Sequence, residues 1–128
     1  MAVIHESDIL QIKKDDENNA LVIKFSGFAQ KDKAGSFVSI YQDAVSKVTP
    51  STINLIIDST ELKTFHQEIL PVLTKSYELY MSSGFKKVIM VNPKDIAAKM
   101  QLARVARSAQ FNGVFVDSID EAYSLSEQ

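Results

Sequence analysis

The chain has 128 residues, 45% of them hydrophobic and 23% charged, with a formal net charge of -2 and no cysteine. That length fits one domain with its own core, expected to span residues 1–128. A chain so close to neutral sets up no long-range positive field for a phosphate backbone, so nucleic acid is not an expected partner. The absence of cysteine removes disulfides, thiolate metal sites and cysteine nucleophiles together.

The opening "MAVIHESDIL" lacks a basic region followed by an apolar run, and no segment approaches about 18 apolar residues. A cytoplasmic protein with no membrane span is therefore expected. "DILQIKK" and "NALVIKFSG" alternate apolar with polar residues on either side of "DDENN", which predicts an antiparallel hairpin from about Asp8 to Ser26. Ala34, Phe37, Ile40, Tyr41, Ala44, Val45 and Val48 recur at spacings of three and four, which predicts a helix ending before Pro50.

"INLIID", Ile53 to Asp58, is nearly continuously apolar, as a strand covered on both faces should be. A helix is predicted through "EILPVLTKSYELYMSSG", closed by Gly84. "KKVIMVN" repeats the buried-strand pattern from Lys86 to Asn92. A helix from Asp95 to about Gln110 then places Ile96, Met100, Ala103 and Ala106 on one side. "GVFVD" is a last short strand, and Ser118 with Glu121 has the spacing of a capping box for a terminal helix.

The order predicts an α/β protein: an N-terminal β-hairpin followed by four β-α units, with a mostly parallel sheet, right-handed crossovers and helices packed on it. Sites in such sheets lie beyond the carboxyl ends of the strands, here the loops 27–33, 58–67, 92–95 and 117–118. The loop after Asp58 holds an acid, hydroxyls on Ser59, Thr60 and Thr64, and His66, the groups a nucleophilic site would need. No Gly-x-Ser-x-Gly elbow accompanies them, and turn and cap roles account for the same residues. Two histidines and no cysteine leave too few ligands for a typical transition-metal site. Asp58, Asp95 and Asp117 fall at strand ends where a ring of acids would hold Mg²⁺, but Asp95 and Asp117 are also placed to cap the helices that follow. The four glycines are too scattered for a phosphate cradle, so no cofactor and no metal are expected.

The hairpin, the four strand-helix units and the strand ending "LIID" before a helix resemble the STAS family, the bacterial anti-sigma-factor antagonist type of domain, over nearly the whole chain. In that family the strand ends in Asp, and Asp-Ser-Ser-Gly or similar opens the next helix, where the serine is phosphorylated by a partner kinase. "IIDSTELKTFHQEIL" matches the pattern at Asp58, Leu62, Phe65, Ile69 and Leu70. His66, Gln67 and Glu68 stand where the acid, the serine and its neighbour are expected, so the usual phosphorylatable serine is missing. Ser59, Thr60 and Thr64 are the hydroxyls left for phosphorylation, and the resemblance does not transfer to them. Thr64 and Gln67 have capping-box spacing, yet Pro71 would then lie inside the helix, so the helix entry is expected to be kinked or late.

The resemblance implies a non-catalytic module that docks a protein, an anti-sigma factor or another regulatory partner. Its docking surface would be the loop residues Asp58, Thr60, Thr64, His66, Gln67 and Glu68. A homodimer is compatible with this reading. The alternative is a small domain binding a lipid or other apolar ligand in a pocket lined by Phe28, Phe37, Phe65, Tyr77 and Tyr80. An enzyme acting through Asp58, Ser59 and His66 comes third.

Overall fold

A computed structural model describes residues 2–27 and 31–127, with residues 31–35 as backbone only. Phe28 and the Ala34 side chain thus lie outside the described residues. Six strands, β1 Ala2–Glu6, β2 Leu10–Asp15, β3 Ala20–Gly27, β4 Asn54–Leu62, β5 Val88–Val91 and β6 Val114–Val116, form one sheet in the order of the chain. β1, β2 and β3 pair antiparallel, and β3 to β6 run parallel. The helices are α1 Lys31–Ser46, α2 Leu70–Ser82, α3 Ile96–Ser108 and α4 Ile119–Ser126. The mostly parallel α/β architecture expected from the pattern is the one observed.

The expected hairpin is β2–β3. Its tip is closed by Asp15, whose carboxylate accepts from the Asn18 backbone N–H at 3.2 Å and from its side-chain amide at 2.8 Å. Asn19 takes the left-handed turn with φ 52, a region that Asn tolerates better than most residues. β1 is an addition. "AVIHE" lacks the alternation of a half-buried strand because it lies on an open edge with most of its surface in water.

β4 is the centre of the sheet, and Leu55, Ile56 and Ile57 are at most 1% exposed between β3 and β5. Alternate residues of the strands serve two cores. Leu21, Ile23, Leu55, Ile57 and Met90 meet α1, α2 and α3 through Tyr41, Tyr80 and Leu102, while Ile56, Ile89, Val91 and Val116 meet Ala122 of α4 on the other face. Edge-on packing of Tyr41 against Tyr80, ring centres 5.3 Å apart, joins α1 to α2.

The helix termini follow local chemistry. The expected box at α4 forms, with the Ser118 hydroxyl accepting from the Glu121 N–H at 3.2 Å. Gly84, at φ 88, lies just past α2, where a side chain would strain the turn. α3 corrects the sequence reading. Its covered face is Ala98, Leu102, Val105 and Ala106, whereas Ile96 and Met100 point into solvent. The helix carries two apolar stripes, and periodicity does not say which one the sheet covers.

Candidate functional site

The junction from β4 to α2 lies at the carboxyl ends of the strands, where the fold places binding sites. β4 runs on to Leu62, so Asp58 and Ser59 belong to a strand and not to a surface loop. Between the pairs Lys24–Asp58 and Ser26–Glu61 the register shifts, leaving one extra residue in β4. The Asp58 carboxylate supports this bulge. One of its oxygens accepts from the Thr60 N–H at 3.0 Å and from the Thr60 hydroxyl at 2.7 Å.

Asp58, expected on the docking surface, is only 7% exposed, and Ser59, expected as a phosphorylation candidate, only 2%. Thr60 and Thr64 are half-buried, and His66, Gln67 and Glu68 are exposed together. The expected Thr64–Gln67 capping box is replaced by a later start. A 3-10 turn, Gln67–Ile69, leads into α2, and the His66 imidazole Nδ1 accepts from the Glu68 N–H at 3.3 Å. Pro71 sits in the first turn of α2, where its missing N–H costs no helical bond.

Phe65 and Ile69 anchor this segment in the core on either side of the exposed trio. A second fastening comes from α3. The Gln101 side chain donates to the Phe65 carbonyl at 2.9 Å and accepts from the Phe65 N–H at 3.2 Å, so one amide holds both polar groups of one peptide residue. Nothing in the spacing of Gln101 announces this role, because its partner is 36 residues away.

A catalytic triad is not assembled. Ser59 lines a cavity beneath α2, Asp58 acts electrostatically on Tyr123 of α4 across the sheet, and His66 caps a turn in solvent. The acids at the strand ends also stay apart, and among the described residues no cluster of three or more His, Cys, Asp or Glu is placed to hold a metal. Asp95 caps α3 by accepting from the Ala98 N–H at 3.0 Å, as expected. Asp117 does not cap α4, since Ser118 does. It accepts from the Asn92 amide at 3.0 Å and pairs with Lys99 at 3.5 Å. The Asn92 hydrogen bond, followed by the Lys99 charge, lowers the Asp117 pKa from its ordinary value.

The cavity measures about 80 Å³ and is lined by Phe37, Phe65, Tyr77 and Tyr80 among others, four of the residues expected around an apolar pocket. Ligand pockets commonly run from about 300 Å³ upward, so this space is too small for a lipid. Burial pushes the Tyr41 hydroxyl up to about 12 despite its bond to Ser83, and it raises Tyr77 and Tyr80 as well. The Tyr77 hydroxyl is buried with no hydrogen-bond partner. These tyrosines are therefore neutral packing groups at ordinary pH.

Comparison with known proteins places the fold. No family model and no curated protein matches the chain. Among solved structures it is similar to an anti-sigma factor antagonist from Mycobacterium paratuberculosis, with TM-score 0.62 and 16% identity over 93% of each chain. It is equally similar to an uncharacterized protein of the DUF3478 family with a SpoIIAA-like fold from Shewanella loihica PV-4. There the TM-score is 0.62 and the identity 18%, over 94% of this chain and 98% of the other. The chain thus has the STAS-like, SpoIIAA-like fold. Among the described residues no helix is long and apolar enough to cross a membrane.

Proposed function

We propose that this chain is one STAS-like domain that works in the cytoplasm as a non-catalytic protein-interaction module of a bacterial-type regulatory system. The docking surface is the exposed trio His66, Gln67 and Glu68, with Thr64 at its margin. One observation carries this reading: the trio is solvent-facing yet flanked on both sides by the buried anchors Phe65 and Ile69, with Phe65 clamped by Gln101. An exposed segment anchored on both sides loses less conformational freedom when a partner seats on it, which favours recognition. The similarity of the fold to an anti-sigma factor antagonist adds support.

Asp58 and Thr60 enter the proposal as supports of the segment, since their side chains satisfy each other within β4. Thr64, half-buried in the connection and outside the strand, is the phosphorylation candidate of this proposal. With Gln67 in the place where the resemblance puts a serine, docking here does not depend on a phosphoryl group at that position. The test is affinity capture from native cell extract with the intact chain and with the His66→Ala, Gln67→Ala, Glu68→Ala triple variant. Loss of a captured partner by the triple variant is the expected result. Equal recovery by both would remove this segment as the docking surface.

A further inference from the structure

We propose that the corner formed by α3 and the edge strand β6 is a second docking surface, fitted to an apolar segment of a partner protein flanked by carboxylates. It lies apart from the His66 segment and stands whether or not that segment docks anything. Five large hydrophobic residues are exposed among the described residues, and three of them, Ile96 75%, Met100 57% and Phe115 40%, lie on α3 and the α3-facing side of β6, while Val114 points to the α4 face. A scatter of single exposed residues needs no explanation, but a concentration on two adjoining elements does.

At about 100° per residue, Ile96, Met100 and Ala103 form one stripe on α3, with Lys99 and Arg107 beside it and Arg104 at its far margin. Between α3 and β6 runs an open groove of about 400 Å³, whose lining includes Asn92, Lys99, Ala103, Arg107 and Phe115. Its floor is firm. Phe115 packs edge-on against Phe111, ring centres 5.5 Å apart, and Phe111 packs on Tyr77 of the core at 5.4 Å. Among the described residues β6 pairs with β5 alone, so its outer edge offers backbone groups to an incoming extended segment.

Charge selects the occupant. Lys99 is already paired with Asp117, while among the described residues neither Arg104 nor Arg107 has an ion-pair partner. An acidic segment would supply the missing partners, and Arg beside Met and Phe is the composition of interface centres. A two-fold contact between copies would face this corner, with Lys99, Arg104 and Arg107, with the same cationic patch of its partner, which disfavours a second copy. With a net charge of -2 the chain is also a poor match for a polyanion.

The test begins with a displayed library of random dodecapeptides selected against the folded full chain, with enriched peptides then synthesised. Enriched sequences are expected to combine apolar residues with Asp or Glu and to bind the His66→Ala, Gln67→Ala, Glu68→Ala variant unchanged. Met100→Ser with Phe115→Ser, and separately Arg104→Glu with Arg107→Glu, should each weaken binding by about tenfold or more. Lysine in place of the peptide carboxylates should restore binding to the charge-reversed variant. All four positions are on the surface, and unchanged thermal melts will show that the variants fold. The proposal is overturned if no peptide is enriched, or if enriched peptides lack acids and ignore the charge reversal. It is equally overturned if Met100→Ser with Phe115→Ser abolishes a self-association seen by sedimentation, which would give the corner to a second copy, or if the corner binds anionic vesicles in place of peptides. The triple variant reports on the first surface and the corner variants on this one, so either reading can fail alone.

Discussion

The β4–α2 junction and the α3–β6 corner treat their side chains in opposite ways. At the junction, Asp58 satisfies Thr60, His66 caps a turn, Gln101 fastens Phe65, and the hydrophobic residues point inward. At the corner, Ile96, Met100 and Phe115 point outward, and two arginines have no carboxylate partner among the described residues. Internal satisfaction makes a stiff surface, and incomplete satisfaction makes a receptive one. The difference teaches that a polar, reactive-looking stretch of sequence can be the self-contained part of a molecule, while an ordinary amphipathic helix holds the unspent contacts.

The sharpest way to break this contrast is to truncate one apolar residue in each region. Phe65→Ala should lower the free energy of unfolding by about 3–5 kcal/mol, as for other large core deletions. Met100→Ser should change it by less than about 0.5 kcal/mol, because the side chain is already in water. Urea denaturation followed by circular dichroism measures both. A comparable loss at Met100 would mean that the corner is part of the core.

The next effect belongs to the tyrosines beneath the junction. Tyr41, Tyr77 and Tyr80 keep their protons in the folded chain beyond the pH at which an unfolded tyrosine ionises, near about 10. Below that pH their contribution is whole. Above it the unfolded chain binds fewer protons than the folded one, so stability falls, by about 1.4 kcal/mol per pH unit for each such tyrosine. For Tyr41 the fall runs on to about pH 12. Urea midpoints measured between about pH 8 and 11 should turn downward near 10, with a shallower slope in Tyr77→Phe. An unchanged slope in that variant would show that Tyr77 ionises freely.

The smallest effect separates the two regions directly. Gln101→Leu removes both bonds to Phe65 and should cost about 1–3 kcal/mol. Amide exchange should quicken from Phe65 to Glu68 and stay unchanged from Val114 to Val116. Equal quickening in both places would show that the clamp steadies α3 as a whole and not the junction.

Much of the fold was legible because burial on two faces leaves a mark that needs no tertiary information. The runs around Leu55–Ile57 and Ile89–Val91 are apolar without alternation, and the structure puts both inside the sheet. Short-range chemistry was legible for the same reason: the Ser118 cap, the Asp95 cap and the late start forced by Pro71 depend on neighbours a few residues away. What the sequence hid depends on distant partners. β1 carries little pattern because it is an edge, and the burial of Asp58 and Ser59 follows from β4 continuing past the point where its apolar run stops. The exposed stripe of α3 was visible as a stripe, but its direction is set by where the sheet ends.

The strands lie across the sheet in the order in which they are made. Each strand thus lies beside the one that precedes it in the chain, and no later segment has to wedge between two earlier neighbours. Among the described strands β6 stands at the far margin of this succession, so the α3–β6 side is flanked by no further strand of the sheet.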